Sequence, residues 1–180
     1  MIRSKPKLGL KAGAKPGEPG IQVPYILGKS KFGLGIFVQQ DIPKGSLVWK
    51  YKRGVNVSSF KGPKEVRAFL STLPSKKAKG LWLDYTYHLN GYLNDIKDDG
   101  VYWNHSSTNP TTQLNYPGKK DKNSGYAARD IKKGEEMFED YGVYEWPQWL
   151  LDISEEFGSD MSYFDIKTPC STKSSESGLK

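Results

Sequence analysis

The sequence predicts a mainly β fold with few helices. Short runs rich in β-branched and aromatic residues, broken by Gly or Pro, recur along the chain, and only two stretches space their apolar residues as a helix does. Aromatic residues make up 13% of the 180 residues, so rings are expected to fill much of the core or to line a pocket.

Strands are expected over residues 21–27, 35–39 and 46–51, with Pro43-Lys44-Gly45 as the turn between the last two. A helix is expected over 63–73. Pro63 suits a first helical position, Val66, Phe69, Leu70 and Leu73 fall on one face, and Pro74 ends it. Further strands are expected near 81–87, 112–116, 124–128 and 136–138. A second helix is expected over 147–157, with Trp149, Leu150, Ile153 and Phe157 on one side. No internal repeat is visible.

Composition excludes several classes. Cys170 is the single cysteine, so no intrachain disulfide can form, and with two histidines a Cys-rich zinc site is ruled out. No metal site is expected. No apolar run of about 18 residues and no apolar leader core occur. The expectation is therefore a soluble, intracellular protein without a membrane partner, nucleus and cytoplasm not being separable.

The formal net charge is +7, but its distribution is uneven. From Gly134 to Ile166 there is no Lys or Arg, and Glu135, Glu136, Glu139, Asp140, Glu145, Asp152, Glu155 and Glu156 all lie there. This stretch reads either as ordinary solvated surface or as a docking face for a cationic substrate. Residues 1–20 carry Arg3, Lys5, Lys7, Lys11 and Lys15 among Gly and Pro and are expected to form a flexible basic arm. That arm is either a solvated tail or a weak contact for nucleic acid or an acidic membrane surface. Residues 167–180, rich in Ser and Lys, are expected to be a disordered tail.

Three segments carry chemistry. In Lys31-Phe32-Gly33-Leu34-Gly35-Ile36-Phe37, two glycines one residue apart let backbone approach a ligand. The dinucleotide fingerprint is excluded, because no third glycine and no helix follow. In Asp98-Asp99-Gly100-Val101-Tyr102-Trp103-Asn104-His105-Ser106-Ser107, the Asn-His pair offers hydrogen-bonding groups of both signs. The third segment, Arg129-Asp130-Ile131-Lys132-Lys133-Gly134-Glu135-Glu136-Met137-Phe138-Glu139-Asp140-Tyr141-Gly142, reads as a turn and a strand ending in an acidic, aromatic loop.

Together and in this order, the three segments resemble the SET-domain family of protein-lysine methyltransferases, over residues 22–145. The resemblance implies a SET-like catalytic domain over 21–145, built of small curved β-sheets with a knot-like crossing of the C-terminal segment. It implies S-adenosyl-L-methionine as cofactor and a lysine-containing protein, such as a histone tail, as substrate. Phe32, Gly33, Leu34 and Gly35 would wrap the cofactor together with Tyr102, Asn104 and His105, and Tyr141 matches the tyrosine at the methyl-transfer site. Tyr51, Tyr144 and Trp146 are the candidates for the substrate channel, and residues 146–166 would close the site where many members carry a zinc module. Val101 and Tyr102 stand where the family often has Arg-Phe, Ser107 where it has Cys, and Lys50 where it has Glu.

Methyl transfer needs a neutral amine aligned with the methyl group. Deprotonating a lysine of pKa about 10.4 at neutral pH costs roughly 4 kcal/mol, a cost that desolvation and a nearby positive charge both lower. An aromatic channel supplies the alignment. Two rival readings stay open: a SET-like peptide-binding module without catalysis, and a nucleic-acid-binding β domain.

Overall fold

The computed structural model describes residues 8–159. Residues 1–7 of the expected basic arm, the expected 167–180 tail and Cys170 lie outside them. Among the described residues, twelve strands form three sheets that pack with three helices around two apolar clusters. No described helix is long and apolar enough to cross a membrane.

The first sheet is antiparallel. It joins β1 (Gly9–Lys11), β3 (Tyr25–Ser30) and β4 (Gly33–Val38) in the order β1-β3-β4. Where a free arm was expected, residues 9–11 thus pair with Tyr25–Leu27, and Lys11 forms an ion pair with Asp99. The expected strand over 21–27 is divided at Pro24: β2 (Gly20–Ile21) joins a different sheet from β3. Proline cannot donate to a ladder, which makes it a natural point of exit.

The second sheet runs β2-β5-β11-β10-β12-β9, with β5 (Leu47–Lys50), β9 (Asn104–His105), β10 (Thr112–Leu114), β11 (Gly125–Ala127) and β12 (Phe138–Glu139). Its edge contains the crossing. β12 lies parallel to both β9 and β10, between them, so the chain that links β9 to β10 passes across β12. Backbone and side-chain bonds lock it there: Ser106 N–H donates to Glu139 O (3.0 Å), Thr111 N–H to Phe138 O (3.0 Å), and Phe138 N–H to Thr111 Oγ1 (2.7 Å).

Two similar turns buttress this sheet. Asp41-Ile42-Pro43-Lys44-Gly45 and Asp130-Ile131-Lys132-Lys133-Gly134 face each other, with Ile42 and Ile131 exchanging backbone bonds of 2.8 and 2.9 Å. Asp130 accepts from Lys44 N–H (2.8 Å), and Asp41 accepts from Lys133 N–H (2.9 Å). Both isoleucines are buried beside Ile36, Val48, Trp49 and Met137 in the main core. This reciprocal pair is a short internal repeat, Asp-Ile-x-Lys-Gly, which corrects the expectation of none.

The third sheet, β6-β8-β7, joins β6 (Val57–Phe60), β7 (Thr86–Leu89) and β8 (Tyr92–Ile96). Asn90 (φ 53°) and Gly91 (φ 76°) make the β7–β8 turn, and both need the left-handed backbone that Asn and Gly tolerate best. Three helices pack beside it: α1 (Gly62–Ser71), α2 (Lys76–Leu83) and α3 (Gln148–Phe157). The strand expected over 81–87 is corrected here. α2 continues through Leu81-Trp82-Leu83, and β7 starts only at Thr86. The Ser75 hydroxyl caps α2 by accepting from Ala78 N–H (3.1 Å), which lets the helix formers that follow override the strand-like apolar run. Val66, Leu70, Leu83, Leu93, Leu150 and Ile153 form the second cluster. A Cβ on Gly80 would lie 2.7 Å from Phe157 O, so glycine is what lets α2 and α3 approach.

Candidate active site

A cavity of about 400 Å³ opens between the crossing and the β7–α2 region. That volume falls in the range of small-molecule sites. Phe32, Trp49, Tyr85, Tyr87, Trp103, Tyr141 and Tyr144 supply rings, while Asp84, Thr86, Asn104, His105 and Glu139 supply polar groups.

One wall is fixed by hydrogen bonds. Asn104, on β9, donates from Nδ2 to Leu34 O (3.0 Å) and to Glu136 Oε1 (2.6 Å). One amide thus ties the Gly-rich hairpin to the closing segment. Gly35 is needed for this contact, because a Cβ there would meet Glu136 Oε1 at 2.1 Å and Asn104 Nδ2 at 3.1 Å. Gly33 has a different reason. Nothing lies within 4 Å of its Cβ position, but its φ of +110° disfavours any side chain. Phe32 stands at the turn, 45% exposed, edge-on to Phe138 at 6.5 Å.

His105 joins this wall to Tyr141. Its Nδ1 accepts from Tyr141 N–H (3.0 Å), which assigns the ring proton to Nε2. The 3.2 Å approach of the same Nδ1 to Glu139 O is then a contact between two acceptors, and that carbonyl is served by Ser106 N–H. The Tyr141 hydroxyl donates to Trp103 O, and its ring lies 5.1 Å from His105 and 5.5 Å from Tyr144. Burial and the nearby Glu139 push the Tyr141 hydroxyl pKa above its ordinary value, so it stays protonated at neutral pH.

The opposite wall is aromatic. Tyr87 and Tyr144 pack at 4.8 Å. The Tyr144 hydroxyl donates to Glu139 Oε2 (2.7 Å). Trp49 floors the cavity and is held by Asp98, which accepts from Trp49 Nε1 (3.1 Å), Asn56 Nδ2 (2.8 Å) and Gly100 N–H (2.8 Å). Burial raises the Asp98 pKa, and these three donors partly offset it.

The structure therefore gathers Phe32, Asn104, His105, Tyr141 and Tyr144 on one cavity, with Leu34 and Gly35 directly behind Asn104. Three expected residues sit elsewhere. Tyr51 packs edge-on to Trp49 at 6.2 Å and contacts Ser59 Oγ with its hydroxyl at 3.2 Å. Tyr102 packs against the main core, and Trp146 against the helical cluster. Trp149, within the 146–166 segment expected to close the site, meets His88 edge-on at 5.7 Å. Glu139 is only 5% exposed, so it is no part of an exposed docking face, whereas Glu145, Glu155 and Glu156 are exposed.

Sequence reading did not single out Trp49, Tyr85, Tyr87 or Trp103 as lining. The alternation Tyr85-Thr86-Tyr87-His88 leading into Asn90-Gly91 was the available signal for a hairpin at this position.

The SET domain profile matches residues 33–142, well over half of the chain, and the chain belongs to the SET-domain family. Among solved structures, it is similar to a Plasmodium falciparum protein provisionally described as a histone methyltransferase. The identity is 23% and the TM-score 0.42, over 68% of this chain and 99% of that one. It is also similar to the methyltransferase domain of the human histone-lysine N-methyltransferase SETMAR. Here the identity is 25% and the TM-score 0.47, over 69% of this chain and 46% of that one. No curated protein sequence matches the chain.

Proposed function

We propose that this protein transfers a methyl group from S-adenosyl-L-methionine to a lysine side chain of a protein such as a histone. The observation that carries the reading is the junction of His105 with Tyr141 beside Asn104, on one wall of a ring-lined cavity, in a chain of the SET-domain family.

The residues present fit the cofactor. The cavity is large enough for a small ligand, the Cβ position of Gly33 is open, and Phe32, with the Lys31 ammonium over its ring at 4.6 Å, lines the cavity while 45% exposed. Phe32, the Gly33–Leu34 backbone, Asn104 and His105 would hold it. When bound, it supplies an electrophilic methyl group on a positively charged sulfur. The chain's own residues do the rest. Tyr87, Tyr141 and Tyr144 exclude water, and desolvation lowers the pKa of an entering ammonium. The Tyr141 hydroxyl, protonated and anchored on Trp103 O, gives a fixed dipole beside the reacting groups.

Val101 lines the cavity where the family often places Arg, which favours a second reading, a peptide-binding module without catalysis. Two measurements on the full chain separate the two. Calorimetry with the demethylated cofactor should show binding, and radiolabelled S-adenosylmethionine with core histones should show transfer to lysine. Peptide binding with neither result would leave only the second reading.

A further inference from the structure

Glu139 stands on β12, the residue 5% exposed, and it borders two cavities. One is the aromatic cavity described above. The other, also about 400 Å³, is lined by Leu89, Pro110, Thr112, Leu114 and Val143 among others. Only one carboxyl oxygen is served: Oε2 accepts from Tyr144, whereas Oε1 is buried with no hydrogen-bond partner. Among the described residues, no cation pairs with it. The titratable groups facing it are Tyr87, Tyr141 and Tyr144, Asp140 on its own segment, and His105 on β9.

A buried carboxyl oxygen without a donor is costly, and native proteins seldom keep one unless a ligand or a reaction uses it. An alkylammonium has three donors and no acceptor, which complements this oxygen. The Tyr87, Tyr141 and Tyr144 rings stand beside it and offer apolar faces to an aliphatic stem. We infer that Glu139 Oε1 receives the amine of the substrate and accepts its proton before methyl transfer. The identity of that amine as lysine rests on the methyltransferase reading; the amine site itself does not.

The transfer balances. One N–H bond of the ammonium breaks, its electron pair stays on nitrogen, and an O–H bond forms on Oε1. A buried ion pair becomes a buried neutral pair, with no change of net charge in the cavity. When the methylated product leaves, the proton passes from the carboxylic acid to water. Burial pushes the Glu139 pKa up to about 7, against the pull of the Tyr144 hydroxyl, and a base poised near the working pH is the efficient one.

The test uses the full chain, with n-butylamine as probe and the fluorescence of Trp49 and Trp103, which line the cavity, as signal. Wild type should bind n-butylamine at least tenfold more tightly than the isosteric neutral alcohol, with affinity rising through pH 7. Glu139→Gln, checked for folding by circular dichroism, should lose that preference and the pH limb. Equal affinity of wild type for amine and alcohol overturns the inference, even if the variant fails to fold. Methyl transfer to core histones then separates the two proposals. If wild type methylates and Glu139→Gln methylates with the same rate and pH profile, the inference falls and the function stands. If wild type prefers the amine but neither binds the demethylated cofactor nor methylates, the function falls and the amine site stands.

Discussion

The two walls of the cavity are built by opposite means. On the wall of Leu34, Asn104, His105 and Tyr141, side-chain groups bond to backbone atoms of distant segments, so each is held by groups that cannot move far. On the wall of Tyr85, Tyr87 and Tyr144, the Tyr87 and Tyr144 rings pack on each other, and the polar group among them, Glu139, has one oxygen unmet. The first wall is suited to hold a ligand in one pose. The second tolerates small shifts and keeps a reactive group out of water.

Substitutions should separate the walls, the largest effect coming from the held wall. Tyr141→Phe keeps the ring and removes the hydroxyl. Turnover with histone substrate should fall about 10²-fold or more, since a lost donor at a reacting centre costs on the order of 3 kcal/mol. The same change strips Trp103 O of a donor, so urea melts should also show a stability loss of about 1–2 kcal/mol. Near-wild-type turnover would remove Tyr141 from the chemistry.

The aromatic wall should reveal itself through pH. Glu139 titrates at about 7 in the folded state, above the usual carboxyl value of 4.5, so the folded state binds its proton more tightly than the unfolded chain does. Its contribution to stability is then most favourable at low pH and declines as pH rises from about 4.5 through 7. Compared with Glu139→Gln across that window, wild type should lose on the order of 3 kcal/mol in urea-melt stability. Parallel curves for the two proteins would show that Glu139 is not buried as described.

Gly35→Ala probes the held wall from behind. The new methyl displaces the Glu136 carboxylate from Asn104, which keeps its bond to Leu34 O, and one unmet, partly buried N–H costs on the order of 1 kcal/mol. Affinity for the demethylated cofactor should fall several-fold in calorimetry. The smallest effect belongs to the exposed acids outside both walls. Neutralising Glu145, Glu155 and Glu156 should raise KM for a Lys-rich peptide a few-fold and leave kcat intact, and the effect should fade at high salt.

The held wall was legible in the sequence because its parts are short motifs. Gly33-x-Gly35, Asn104-His105 and Asp140-Tyr141 name their residues, and the structure gathers Leu34, Asn104, His105 and Tyr141. Most of the aromatic wall was not legible, because Trp49, Tyr85, Tyr87 and Trp103 reach the cavity through tertiary packing, to which no local period points. The miss at α2 has a local cause: Leu81-Trp82-Leu83 resembles a buried strand until the Ser75 cap is weighed. Trp146 shows the reverse error. Its nearness in sequence to Tyr144 suggested the channel, but it packs against the helical cluster.

The crossing at β12 also fixes when the site can exist during biosynthesis. Asn104 and His105 emerge from the ribosome well before Tyr141, yet β9 and β10 have no strand between them until Phe138 and Glu139 arrive. The contacts that complete the cavity join residues more than thirty positions apart, as in Tyr141 N–H to His105 Nδ1, where the separation is 36. Pairings of such long range are slow to form. A growing chain therefore carries the Gly-rich hairpin and the Asn104-His105 pair without the wall they help to build, and closing the crossing and completing the cavity are one event.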